Sequence, residues 1–381
     1  MIVFVSNFYN HHQSALSEEL FKLTDGAYRF VEMSPIPDEF VKSGYPVYNP
    51  SRLLVQAWKS DTDLNYAYQL INNADVVLYG NFDNLNLIKK RLSNNKLTFE
   101  VGERWLKRGG GNLLSPRLLK NQCFYHLYFY NKQLFRLCAS AFAAGDLAKF
   151  HSFKNRCFKW GYFTIVPDID ADAIIKARSK EHEVRFISVA RFIHWKHHEL
   201  TVKAAKILFD EGYNFTVDIY GSGSEFLKIK RLIEKLRIEH IVRLRGNIPN
   251  QLIMEELRKH DAMIFCSDKN EGWGAVVNEA MGNTCPVIGS DKIGSVPFLI
   301  KNEQNGLIFR SGDVHDLAKQ MIRIVESKEL RQTLAANAYS TMKNTWSPQV
   351  AAKRLLILIE SLTSRTELPL QEGPCSVALP I

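Results

Sequence analysis

The chemistry of this sequence is concentrated in four charged side chains and two glycine-rich turns. Arg191 follows a short apolar run, and Lys196 comes five residues later, where a helical pattern begins. A guanidinium gives forked hydrogen bonds, an ammonium gives a point charge, and a helix start leaves N–H groups open; together they suit a diphosphate. Gly221-Ser222-Gly223 closes the next apolar run before another helix. Glycines there let backbone approach a ligand, although a Gly-x-Gly is often just a turn. Glu271-Gly272-Trp273-Gly274 then forms a loop, and Glu279 stands eight positions after Glu271, about one turn into a helix. One carboxylate is aimed at the loop-bound end of a ligand. The other lies deeper, where an acceptor-only carboxylate suits the vicinal hydroxyls of a ribose. A capping acid plus a surface acid is the plain alternative for the two glutamates.

These residues need strands that end together. Apolar runs Val184–Val189, Phe215–Tyr220 and Ala262–Cys266 alternate with helical patterns of 10–15 residues, as do Ile241–Arg245, Pro286–Gly289 and Gly306–Phe309. That alternation implies βαβ units and a parallel sheet, whose carboxyl edge binds ligands. The first part of the chain alternates similarly, with strand candidates Ile2–Val5, Tyr28–Met33, Val76–Tyr79, Leu97–Val101 and Leu137–Ala143. The expectation is an α/β protein of two Rossmann-like domains facing a cleft. The domains span 1–163 and 164–346, joined by a polar connection running to Glu183. A last helix over about 347–362 is expected to pack back onto the first domain, and 363–381 reads as a loose tail.

Composition sets the bounds. The 381 residues are 46% hydrophobic and 23% charged, which excludes wholesale disorder. The longest late aliphatic run is Leu355 to Ile359, far short of the roughly 20 residues of a membrane span. The opening Met1–Val5 is short and lacks a basic start, so a signal peptide is not expected and the cytosol is the default compartment. The six cysteines show no C-x-x-C pair and the acids no clustered ligand spacing, so no metal is expected.

From Val184 to Leu362 the chain resembles the C-terminal half of a family 4 glycosyltransferase of the GT-B architecture. The resemblance rests on Arg191, Lys196, Gly221-Ser222-Gly223, Glu271, Glu279, Pro286-Val287-Ile288-Gly289-Ser290, Gly294 and Asn305-Gly306-Leu307. It implies a retaining transferase that takes a nucleotide-diphosphate sugar as co-substrate, with no other cofactor and no protein-held metal. It further implies that Arg191 and Lys196 hold the diphosphate, that Glu271 contacts the donor sugar, and that Glu279 holds the ribose. The turns Gly221-Ser222-Gly223 and Gly272-Trp273-Gly274 would border the nucleotide sugar. The sequence departs from the family at Gly282-Asn283-Thr284 and at Val296-Pro297-Phe298.

In such enzymes the first domain binds the acceptor, here a saccharide or a lipid-linked saccharide. After its first strand stands Asn7-Phe8-Tyr9-Asn10-His11-His12-Gln13, so His12 is a candidate for phosphate or acceptor, against a helix-cap or surface role. Glu103 follows the Leu97–Val101 strand and is a candidate to face the transferred sugar, against an ion pair with Arg104 or Lys107. The net charge of +9 is uneven: residues 1–163 hold 20 basic and 13 acidic side chains. From Arg104 to Gly145 there is no acid, but seven basic residues lie among aromatics. An anionic membrane surface is the candidate partner, on the inner face of the membrane, with a solvated helix over core aromatics as the alternative. Nucleic acid is not expected, since no helix-turn-helix, zinc-finger or RNP-type signal is present. Two other functions remain open: a sugar-nucleotide epimerase of the same architecture, and a catalytically silent membrane-associated nucleotide-binding scaffold.

Overall fold

The computed structural model describes residues 1–42, 45–49, 51–80, 86–107, 115–129, 131–180 and 183–381. The chain divides into two compact units: Met1–Ile165 with Thr345–Ile381, and Val166–Asn344.

The first unit holds strands β1 (Ile2–Ser6), β2 (Tyr28–Glu32), β3 (Leu54–Gln56), β4 (Val76–Gly80), β5 (Thr98–Gly102), β6 (Leu134–Cys138) and β7 (Cys157–Lys159). They form one parallel sheet in the order β3-β2-β1-β4-β5-β6-β7. Every residue of β1 and β4 is buried, as expected of strands covered on both faces. The strands β3 and β7 have three residues each and too few apolar positions to stand out in the sequence. Leu137–Ala143 was expected as a strand; the strand lies at Leu134–Cys138, where its partner β5 sets the register Thr98↔Leu134.

The second unit holds β8 (Val184–Val189), β9 (Phe215–Tyr220), β10 (Val242–Gly246), β11 (Ala262–Phe265), β12 (Val287–Ser290) and β13 (Gly306–Phe309). Their order, β10-β9-β8-β11-β12-β13, is that of a six-stranded doubly wound sheet. Val217, Ile219, Ile264, Ile288 and Leu307 pack with Val202, Ala205, Ile229, Leu317 and Met321 from the covering helices.

Two segments differ from the sequence expectation. The connection after residue 163 contains a helix, Ala171–Arg178, capped by Asp170. Its buried Arg178 donates to the carbonyls of His260 and Thr284, each at 2.8 Å, and so ties the helix to the ends of two sheet elements. Within residues 363–381, read as a loose tail, the stretch 375–378 is held against the edge of the first sheet. Phe158 and Val377 form an antiparallel bridge, and Cys375, Ser376 and Ala378 bond with Lys159 and Cys157. Burial of Cys375, Ser376 and Ala378 accounts for the order. The helix Pro348–Ser364, started by Ser347 and by Pro348 in its first turn, packs on the helix His11–Leu23 within the first unit.

Candidate functional site

In the second unit β9, β8 and β11 are neighbours, and the strand order reverses between β8 and β11. A doubly wound sheet opens its ligand crevice at such a switch point, outside the carboxyl ends of the strands. Arg191 is exposed just past the end of β8. Lys196 lies in the 3-10 turn His194–Lys196, two residues before the helix His198–Asp210 begins. Its ammonium stands 4.9 Å from the centre of the Phe265 ring, from β11, and is ion-paired with Glu271. Both side chains are largely buried, at 11% and 15% exposure. The residues assigned from sequence to the diphosphate and to the donor sugar are therefore partners, with an aromatic face against the cation.

Gly221-Ser222-Gly223 is laced to the end of β8. The Phe192 N–H donates to the Ser222 carbonyl and the Glu225 N–H to the Phe192 carbonyl, both at 2.8 Å. This packing leaves no room for side chains: a Cβ on Gly221 would stand 2.0 Å from the Ala190 oxygen, and one on Gly223 2.5 Å from the Phe192 oxygen. The φ values of +138° and +148° are also ones that other residues rarely adopt. Gly223→Ala should cost about 1–3 kcal/mol through strain and overpacking. Urea unfolding would show a lower midpoint at unchanged slope; an unchanged midpoint would mean that the loop yields freely.

The loop after β11 is built on Asp268. Its Oδ1 accepts from the Asn270 N–H at 2.8 Å, and its carbonyl accepts from the Glu271 N–H at 3.0 Å. Gly272 and Gly274 flank Trp273, whose expected place beside a ligand needs correction. The indole is wholly buried, donates to Asn278 Oδ1 at 2.8 Å and packs near Phe298, so its side chain braces the loop to the helix Val276–Gly282. Glu279 lies in that helix, buried, with Oε1 3.3 Å from Asn250 Nδ2. Burial pushes its carboxyl up to about 7, against the lowering effect of Asn250. The family departure at 282–284 has a structural role here. Asn283 donates to the Glu279 carbonyl at 2.9 Å and accepts from Arg258 at 2.8 Å, and Thr284 takes the left-handed φ of +59° that ends the helix.

In the first unit, Asn10 caps the helix His11–Leu23 by accepting the His12 N–H at 2.9 Å, which fixes where the histidines begin. His12 Nε2 lies 3.5 Å from the Tyr45 hydroxyl, and its ring stacks on Tyr162 at 5.8 Å. Burial, then the neighbouring His11, lowers its pKa to about 3, so the imidazole is neutral at ordinary pH. Glu103 is ion-paired with Lys107, and its Oε1 accepts the Tyr162 hydroxyl at 2.7 Å. Tyr162 thus links His12 to Glu103. No motif marks this tyrosine in the sequence; only the return of the chain beside β6 brings it to the edge. Arg104 is paired instead with the buried Asp146, at 3.2 Å.

The acid-free segment is not a uniform basic face. Besides Arg104, Arg136 is buried and paired with Glu100. Phe124 and Phe129 are buried, with ring centres 4.7 Å apart. Arg108 and Tyr130 lie outside the described residues. Lys120, Leu119 and Leu127 are exposed.

Residues 170–341 match the model of the family described as Glycosyl transferases group 1. Among curated relatives, the chain is 26% identical over 195 residues to a poly(glycerol-phosphate) alpha-glucosyltransferase of Bacillus subtilis, covering 51% of this chain and 28% of the relative. It is 26% identical over 194 residues to an amylovoran biosynthesis glycosyltransferase of Erwinia amylovora, covering 49% and 47%. The chain thus spans about a quarter to a half of these relatives' lengths. Among solved structures, a glycosyltransferase from Rickettsia africae superposes with a TM-score of 0.68 at 15% identity, over 96% of this chain and 99% of that one. The Anabaena protein HepE in complex with UDP gives 0.67 at 15% identity, over 95% and 99%. The fold is the GT-B fold of two Rossmann-like units.

Proposed function

We propose that this chain is a retaining glycosyltransferase that moves a sugar from a nucleotide-diphosphate donor to a hydroxyl of a saccharide or lipid-linked acceptor, in the synthesis of a surface polysaccharide or glycolipid. The carrying observation is the Lys196–Glu271 ion pair at the β8/β11 switch point, with Arg191 exposed just past the end of β8 and Glu279 one helical turn beyond the Glu271 loop. A diphosphate entering there meets two cations, one of which is already held near its place by Glu271 and Phe265. It would compete with Glu271 for the ammonium and leave that carboxylate for the hydroxyls of the donor sugar. The buried Glu279 is the ribose acceptor.

Transfer breaks a sugar–phosphate bond and puts negative charge on the leaving diphosphate. Fixed cations that match that charge lower the barrier. The acceptor hydroxyl attacks from the face the diphosphate leaves, and a leaving phosphate oxygen takes the hydroxyl proton. Acceptor recognition falls to the first unit, where Glu103, Tyr162 and His12 form one cluster. With His12 neutral, the cluster offers hydrogen bonds and one carboxylate, itself paired with Lys107.

The place of action in this reading is the cytosol. Among the described residues no helix is long and apolar enough to cross a membrane. Contact with an anionic membrane would fall to Lys120 with the exposed Leu119 and Leu127, the inward pairing of Arg104 and Arg136 having removed two of the seven basic residues from that role. A thermal-shift screen of sugar nucleotides tests the reading. A true donor at 100 times its Kd should add about 2.7 kcal/mol of stability and raise the melting temperature. No shift with any uridine, guanosine or adenosine diphosphate sugar would oppose it.

A further inference from the structure

The turn that carries Lys196 is tied to the loop that carries Glu271 by a residue the site has not yet used. His197 lies between the 3-10 turn and the helix His198–Asp210, at φ +50° and ψ +44°. A non-glycine residue there is uncommon and pays conformational energy. Its ring stands between two carboxylates: Nδ1 is 2.8 Å from Glu199 Oε1, and Nε2 is 3.2 Å from Asp268 Oδ2. Asp268 is the residue on which the Glu271 loop is folded, and its own N–H donates to the Trp195 carbonyl at 3.1 Å. The other end of the turn is fixed by His198. That ring is buried, stacks on Phe192 at 4.3 Å, and has Nε2 3.3 Å from the Arg191 carbonyl. Two consecutive histidines thus reach opposite ways, one towards Arg191 and one across to the loop of Glu271.

The geometry points to His197 as a positioning residue that holds the Lys196 turn against the Asp268–Glu271 loop and so presets the diphosphate clamp. Both ring nitrogens face carboxylate oxygens, which only accept. Both can donate only in the imidazolium form, so the bridge is complete only when the ring carries its second proton. Glu199 first, and Asp268 after it, raise the His197 pKa, against partial burial. Both carboxylates lie below their ordinary values although burial pushes the other way: His197, with Lys228 also acting, holds Glu199 down, and the Asn270 N–H first and His197 after it hold Asp268 down. The sign follows. The folded-state pKa lies above the ordinary value of about 6.5, so the bridge is fully present below that pH and is lost as pH rises through the raised pKa. His198 moves the other way, burial pushing it down to about 4, and stays neutral throughout.

The proposal rests on the reading that a nucleoside diphosphate binds at Arg191 and Lys196, and the test separates the two. NMR titration of the ligand-free protein should place His197 above 6.5, with the shift reduced in Asp268→Asn. Calorimetry with UDP, GDP and ADP should be run at pH 6 and pH 9 on wild type, His197→Gln and His197→Gly; the glycine variant relieves the positive φ and so keeps the fold. Both variants should bind the preferred nucleotide about tenfold more weakly than wild type at pH 6, the weight of one charge-assisted hydrogen bond, and nearly equally at pH 9. Titration of Glu279 and of the phosphate is common to all three proteins and cancels in that ratio. An ordinary His197 pKa, or a variant-to-wild-type ratio that is the same at both pH values, would overturn the brace. Absence of binding by wild type to all three nucleotides would instead overturn the nucleotide reading, while the NMR result would still decide the bridge.

Discussion

Arg191→Ala and Lys196→Ala should each slow turnover by roughly 100-fold or more while the protein remains folded. The estimate follows from losing a fixed donor to charge that develops in the transition state, about 2.7–4 kcal/mol in comparable anion sites. The two variants differ in what they disturb. Arg191 is exposed, so its removal leaves packing intact. Lys196 is mostly buried beside Glu271, and its removal leaves that carboxylate without its cation. Lys196→Gln, which retains a donor, separates loss of charge from loss of packing. Release of nucleoside diphosphate measures turnover, with circular dichroism to confirm folding. The losses should fall on kcat at least as strongly as on KM, because the contacts strengthen as the bond breaks. Near-normal turnover in both alanine variants would remove the proposed role from this pair.

Glu279→Ala should weaken binding of the nucleoside diphosphate itself, by about 10- to 100-fold, because the ribose is present with or without the sugar. Glu271→Ala should leave that affinity intact yet impair binding of the complete donor. The ion pair sharpens the contrast: deleting Glu271 releases the Lys196 ammonium for the diphosphate, so affinity for the bare nucleotide should hold or rise. Calorimetry with nucleoside diphosphate and with sugar nucleotide, on both variants, distinguishes the roles. Equal losses in the two variants would contradict the division.

Much of the second unit was legible because its strands are buried on both faces and read as continuous apolar runs, such as Phe215–Tyr220. The turns that end them carry Arg191, Gly221, Gly223 and Glu271 at points where one sheet edge gathers them. What was hidden depends on contacts made far along the chain. Nothing near Trp273 announces that its indole donates to Asn278, and a tryptophan between glycines in a loop reads as a ligand contact until its burial is seen. Tyr162 gains its place from the Glu103 carboxylate and the His12 ring, both distant in sequence. No motif singles out His197 beside Lys196; its value lies in a backbone angle and in Asp268. Arg104 and Arg136 count as surface charge in a composition, whereas Asp146 and Glu100 draw them inward. The residues 375–378 have little periodicity, and their order comes from Cys157 and Lys159 at the sheet edge.

The most direct test is product analysis with the sugar nucleotide that stabilises the protein best. The protein is incubated with it and a panel of saccharide and lipid-linked acceptors, and mass spectrometry and proton NMR follow the products. The account predicts that nucleoside diphosphate is released only when an acceptor is present, that the acceptor gains one sugar, and that the new linkage keeps the anomeric configuration of the donor. Conversion of the sugar nucleotide to an isomer without any acceptor would show an epimerase, an inverted linkage would contradict same-face attack, and an unchanged donor with every acceptor would leave a binding protein in place of an enzyme.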